Sequence, residues 1–239
     1  MELYRLLQQQ GFGSRKECRK LVEYGLVDLN GETEYNWRRE LAPGDIHSLQ
    51  VDGTPWALLP EPFYLLLHKP AGYETSHKPI HNPSVYRLLP QQMVNLGVSA
   101  VGRLDVDTTG LLLFSTDGQF VHALTSPKKD VPKHYRVTTK HPVSAELLAR
   151  LREGVLLHDE QETLAADSAE QVGEYLLDMA ITQGKYHQVK RMVAAAGNRV
   201  EQLHRLALGS LALGDLPEGA WRLLAADELA ALGFASPQV

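Results

Sequence analysis

The sequence predicts an α+β protein in two parts, a small N-terminal module and a longer domain built on a mixed, largely antiparallel sheet. Three observations carry this. Helical and strand patterns follow one another without the regular alternation that builds a doubly wound parallel sheet. A turn-rich stretch, Pro43-Gly44, Asp52-Gly53, Pro55, Pro60 and Pro62, separates the first fifty residues from the rest and reads as a linker over 51–60. The 239 residues, 44% hydrophobic and 22% charged, suffice for one large domain carrying a small one, here 61–239 and 1–50.

In the first module, Leu3, Leu6 and Leu7 follow helical spacing and stop before Gly11 and Gly13. Ser14 and Glu17 form an S-x-x-E capping box, so a second helix starts at Arg15 and runs to about Tyr24, where Gly25 ends it. Leu26 to Leu29 is a short strand, and Asn30-Gly31 signals a hairpin. The second helix gathers Arg15, Lys16, Arg19 and Lys20 along one side while Cys18, Leu21 and Val22 can pack inward. That side can lie against phosphates or serve as an ordinary solvated face.

Beyond the linker, Phe63 to His68 is a strand closed by Lys69-Pro70, and Leu111 to Thr116 is a near-continuous apolar strand bounded by Asp117-Gly118. A short helix covers Gln119 to Leu124. Tyr135 to Thr139 and Tyr175 to Thr182 are further strands, and Ser144 to Arg152 is a helix. A last helix spans Gln188 to Ala196, with Val189, Met192, Val193 and Ala196 on its inner face.

Several function classes fall away on inspection. Apolar runs such as Leu111 to Phe114 are far below the roughly 18 to 20 residues that span a bilayer. The opening MELYRLLQQQG has no basic n-region, and a lone Cys18 forms no internal disulfide, so a cytoplasmic protein is expected. His77 and His81 have helical metal-pair spacing, but Pro79 and Pro83 argue against a helix there, and no metal site is expected. Gly11-Phe12-Gly13 and Gly184-Lys185 lack the further glycines of a nucleotide cradle, and no G-x-S-x-G elbow is present.

The formal net charge is -5, but its distribution is uneven. Lys128, Lys129, Lys133, Arg136 and Lys140 face one acid, Asp130; Lys185, Lys190, Arg191, Arg199 and Arg205 face one, Glu201. Residues 141–184 between them are acidic. A fold that brings the two basic stretches together makes a positive cleft in an acidic protein. Gly102 to Gly110 (GRLDVDTTG) sets two carboxylates, an arginine and two glycines at the mouth of a buried strand, where ionisable groups often form a site. On composition alone, a polar loop whose Asp and Thr side chains bond to nearby backbone accounts for the same residues.

GRLDVDTTGLLLFSTDGQ, Gly102 to Gln119, resembles the catalytic motif of the pseudouridine synthases, in their RsuA branch. SRKECRKLVEYGLVDLNGE from Ser14 is similar to an S4 RNA-binding domain, and HKPAGY at His68 to Tyr73 to the segment that opens the catalytic domain. LTSPKKDVPKHYRV at Leu124 to Val137 resembles the tyrosine motif, and GKYHQVKRMVAAAGNRVEQLHR at Gly184 to Arg205 the basic motif near the C-terminus. The resemblance implies an S4-like RNA-binding domain followed by a pseudouridine-synthase domain with a central cleft, and an isomerase that needs no cofactor.

By the same resemblance, Asp105 is the essential aspartate, Tyr135 packs against the target base, and Arg103 holds the displaced nucleotide. Lys190 stands where related branches carry arginine and is expected to pair with Asp105, less directionally than a guanidinium fork. Arg15, Lys16, Arg19 and Lys20 of the S4-like helix, with Lys133 and Arg191 of the basic stretches, are expected to contact RNA. Asp107 is expected to shape the loop and, by alternation along an extended segment, to point away from Asp105. Glu2 and Tyr4 replace the basic and acidic residues that usually open an S4 domain. The expected partner is 16S rRNA, free or in an assembling small-subunit particle, met by a monomer. Alternatives are a synthase for 23S rRNA, a non-catalytic S4-type assembly factor, or an RNA hydrolase using the two carboxylates.

Overall fold

A computed structural model describes residues 1–42, 44–158 and 160–235. Pro43 of the Pro43-Gly44 turn and the last four residues of the expected 61–239 domain lie outside them. The chain forms two compact units, residues 1–63 with 89–98, and 64–88 with the described residues from 99 onward.

In the first unit, α1 (Leu3–Gln9) and α2 (Arg15–Glu23) lean on a small sheet. The capping box forms as expected: Ser14 N donates to Glu17 Oε2 at 2.7 Å, and Glu17 N to Ser14 Oγ at 3.4 Å. Leu3, Leu7, Cys18 and Val22 meet Val27, Leu29, Leu49 and Val51 in one apolar cluster. Strands β1 (Val27–Leu29) and β2 (Glu32–Thr33) turn through Asn30 and Gly31, both at positive φ (54° and 86°), which matches the twist a two-residue hairpin needs.

The linker reading of 51–60 is corrected here. β3 (Leu49–Val51) and β4 (Thr54–Trp56) form a second hairpin, and the sheet order is β2-β1-β3-β4. Asp52-Gly53 is its turn, and Pro55 is exposed on the edge strand, where a missing N–H costs little. Gln10 ties down the end of β4 and the chain beyond it: its Oε1 accepts from Trp56 Nε1 (3.1 Å) and Leu59 N (2.7 Å), and its Nε2 donates to Leu59 O (3.1 Å).

The second unit begins with β5 (Tyr64–Lys69). The segment 89–98, with α3 (Gln91–Asn95), belongs to the first unit, which also corrects the expected continuous 61–239 domain. Then come β6 (Ser99–Ala100), β7 (Thr108–Ser115), α4 (Gly118–Thr125), β8 (Lys133–Thr139), α5 (Ala145–Glu153), β9 (Val155–Leu156), β10 (Thr163–Leu164), β11 (Ser168–Gly173) and β12 (Leu176–Ile181). The chain continues through α6 (Gln188–Ala195), β13 (Val200–Leu208), β14 (Leu211–Ala212), β15 (Trp221–Leu223) and α7 (Ala226–Ala231).

The main sheet has the order β11-β12-β8-β13-β7-β5-β15. Neighbours are antiparallel except β13 and β7, which run parallel, so the sheet is mixed and largely antiparallel as the sequence predicts. The unbroken apolar run of β7 reflects cover on both faces. Leu111 and Leu113 pack with Phe120, Leu124 and Leu208, while Phe114 meets the Tyr86 ring at 5.4 Å on the alternate face. Each fully buried leucine there contributes about 2 kcal/mol.

The parallel contact depends on one glycine. Gly110 pairs with Arg205 at φ +107°, and a Cβ on it would lie 2.3 Å from Arg205 O and 2.6 Å from Arg205 N. Glycine alone lets β7 and β13 close up at that register.

Candidate active site

Lys69 ends β5 wholly buried, beside the loop that leads into β7. Its Nζ donates to Thr108 O (2.8 Å), Asp105 O (3.0 Å), Pro70 O (3.0 Å) and Val106 O (3.3 Å). Burial pushes this ammonium down to about 8, with the Asp107 and Asp105 carboxylates opposing the shift. A cation taken from water and cradled by carbonyls holds the backbone of the Asp105 loop in one shape.

The loop presents its carboxylates to α6. Lys190 Nζ donates to Asp105 Oδ2 at 3.0 Å and to Asp107 Oδ1 at 2.6 Å, and His187 Nε2 lies 3.3 Å from Asp105 Oδ1. The expectation that Asp107 points away from Asp105 is therefore corrected. The segment is not extended: residues 106 and 107 form a turn, closed by Thr108 N donating to Asp105 O at 3.1 Å, and both side chains converge on one ammonium. Although burial opposes the shift, the hydrogen bond and charge of Lys190 hold the Asp107 carboxyl below its ordinary range. Against its own burial, hydrogen bonds to Asp107 and Asp105 hold Lys190 above its ordinary value.

A cavity of about 450 Å³ opens in front of Asp105. Arg103 and Leu104 of the loop, Tyr135 of β8, Ile181 of β12, Leu203 and Arg205 of β13 line it. At its wall, Tyr186 is 76% exposed and stacks on the His187 ring at 3.8 Å, and His187 takes a left-handed conformation (φ 48°). Tyr135 is 8% exposed, paired with Met179 and Arg205, and its hydroxyl has no hydrogen-bond partner among the described residues. An ion-paired carboxylate beside an aromatic wall and a pocket able to take one flat group suits chemistry on a nucleobase or its sugar.

Residues 63–195 match the model of the RNA pseudouridylate synthase family, a span that holds the Asp105 loop, Tyr135 and Lys190.

The chain belongs to that family.

It is 37% identical over 231 residues to the ribosomal small subunit pseudouridine synthase A of Pasteurella multocida, covering 96% of this chain and 98% of the relative. It is 36% identical over 233 residues to the protein of that name from Escherichia coli K12, covering 97% and 100%. A crystal structure of a pseudouridylate synthase superposes with a TM-score of 0.68 at 33% identity, covering 97% of this chain and 99% of that one.

Within this pseudouridylate synthase, an isomerase by family, the expected site residues fall into three groups. Asp105, Lys190, Tyr135 and Arg103 gather at the cavity, except that Lys190 stands behind Asp105 rather than in the lining. Arg103 is exposed and without a hydrogen bond or ion pair among the described residues. Lys133 also lines the cavity, but its Nζ donates to Thr182 O (2.6 Å) and Val131 O (2.9 Å), and burial, then the charge of Arg205, pushes its ammonium below its ordinary value. Arg191 donates to Tyr186 O at 3.0 Å and thereby supports the turn that carries Tyr186 and His187. In the other unit, Arg15 lies 4.9 Å over the Tyr4 ring and Arg19 3.9 Å over Trp37, while Lys16 and Lys20 are exposed.

Lys69, His187 and Arg205 carry parts of the site to which the sequence motifs assigned no role. A lysine closing the apolar run FYLLLHK was the visible sign for Lys69. For His187 and Arg205 the sign was weaker, two polar residues on otherwise structural elements.

Proposed function

We propose that this synthase converts one uridine of 16S rRNA to pseudouridine, with Asp105 as the carboxylate that acts on the nucleotide. In that reaction the N1–C1′ bond breaks, C5 bonds to C1′, C5 loses its proton and N1 gains one. No redox change occurs, and every atom of the uridine is retained apart from the exchanged proton. Asp105, ionised, serves as nucleophile or as base in breaking the glycosidic bond. Lys190 holds and neutralises it, Tyr135 packs against the base, and Arg103 contacts the displaced nucleotide. Extruding the uridine costs a few kcal/mol, offset by stacking and phosphate contacts.

The observation that carries this reading is the Asp105 carboxylate, ion-paired at 3.0 Å to Lys190 and facing a cavity walled by Tyr135. The names of the relatives support the small subunit as target, and the basic face of α2 supports an S4-like RNA-binding role for the first unit.

The test is modification mapping of 16S and 23S rRNA treated with the purified protein, together with tritium release from C5-labelled uridine. The expected result is one new pseudouridine in 16S rRNA, intact strands, and release reduced about 10³-fold or more by Asp105→Asn while RNA binding persists. A new pseudouridine in 23S rRNA alone would move the target. Release that survives Asp105→Asn, or binding without any release from the wild type, would overturn the assignment.

A further inference from the structure

Arg205 is a cation of the cavity to which the proposed reaction gives no task. It sits in β13 between β8 and β7, paired with Tyr135 on one side and Gly110 on the other, and is 2% exposed. Its Nε donates to Leu111 O at 2.7 Å. Its Nη2 is buried and meets no acceptor among the described residues, although Arg205 lines the cavity beside Asp105. A buried donor without an acceptor is costly, and one kept at a binding cavity is best explained by a ligand that completes it. The close approach at Gly110 fixes the strand that carries it.

The surroundings indicate which part of a nucleotide reaches this guanidinium. Val101, Leu124, Ile181, Leu203 and Leu208 line the same cavity and are buried or nearly so. Such walls accept the faces of a base, whereas a phosphate stays at the solvated mouth, where Arg103 is exposed. In an extruded nucleotide the C4 edge lies opposite the glycosidic bond and enters deepest. Uracil carries a carbonyl oxygen there; cytosine carries an amino group.

Resting on the reading of the cavity as a uridine site, we propose that Arg205 is a specificity-determining residue that donates to the C4 carbonyl oxygen of the extruded uracil and rejects cytosine by opposing donor to donor. No bond is made or broken by Arg205 itself. The effect belongs to recognition, so it is visible in nucleotide binding without turnover.

The test titrates the full-length protein with uridine 5′-monophosphate and cytidine 5′-monophosphate, in the wild type, Arg205→Gln and Arg205→Lys. The wild type is expected to bind the uridine nucleotide about tenfold or more tightly than the cytidine one, a ratio that collapses in Arg205→Gln and partly survives in Arg205→Lys. A merely structural role weakens both nucleotides equally and leaves the ratio unchanged, which would overturn the proposal, as would equal or absent binding in the wild type. Should the variants fail to fold, the wild-type Arg205 side-chain NMR signal decides, since it must shift with the uridine nucleotide and not with the cytidine one. Tritium release by the wild type is measured alongside. Release without the nucleotide preference refutes Arg205 alone; the preference without release refutes the isomerase reading and leaves Arg205 as a uracil reader.

Discussion

On α2, Lys16 and Lys20 stand in solvent, and Arg15 and Arg19 lie over the rings of Tyr4 and Trp37. Around Asp105, Arg103 is likewise exposed, but three other cations are handled in the opposite way. Lys69 and Arg205 are buried, Lys133 is half-buried, and each donates to backbone carbonyls. Exposed cations meet water and salt, so each contributes little and their sum gives affinity that salt weakens. Buried cations carry a desolvation cost that only fixed partners offset, so each holds a piece of backbone in place and shapes the field around the Asp105 carboxylate. The same residue types thus stand at a solvated helix face in one unit and hold backbone geometry in the other.

The largest effect is expected at Lys190. Lys190→Ala leaves Asp105 and Asp107 without their shared counter-charge, and tritium release is expected to fall about 10²-fold or more, with Lys190→Arg retaining most of it. Unchanged kcat in the alanine variant would show that the ion pair is incidental.

At Lys69 the cost of burying a cation becomes visible through pH. Its ammonium titrates near 8 in the folded chain against 10.5 ordinarily. Between those values the unfolded chain binds the proton more readily, so the contribution of Lys69 to stability rises with pH across that window. Activity is expected to move the other way, falling above about pH 8 as the cradle of carbonyls loses a donor. Lys69→Met should remove both trends and lower stability by about 3 kcal/mol, read by denaturant unfolding and by kcat against pH.

The smallest effect is expected on α2. Lys16→Ala and Lys20→Ala should each weaken rRNA binding only a few-fold, flatten the logarithmic salt dependence by roughly 0.7 to 0.9, and leave thermal stability almost unchanged. A large loss of stability would show these lysines to be structural.

How far the sequence could be read depended on how local each signal was. The capping box at Ser14, the Asn30-Gly31 hairpin and the buried strand β7 form as read, because each is decided within a few residues. The hairpin Leu49–Val51 with Thr54–Trp56 went unread, since three-residue strands show no period and its Asp52-Gly53 turn looks like linker punctuation. At the site, Asp105, Tyr135, Arg103 and Lys190 were legible through motif resemblance, and the structure brings them together from separate elements. The position of Asp107 was misread because a turn at 106–107 replaces the assumed extended segment.

From its residues alone, this chain determined its local elements, its uneven charge and the acidic loop before a buried strand, because propensity, capping and apolar runs act between near neighbours. Tertiary structure decided which cations lose their water and what replaces it. Lys69, Lys190 and Arg205 lie 36, 85 and 100 positions from Asp105 in the chain, and only sheet register and the glycine-permitted approach of β7 to β13 assemble their surroundings. The free energy of a buried charge depends on all the groups around it, and those groups come from distant parts of the sequence.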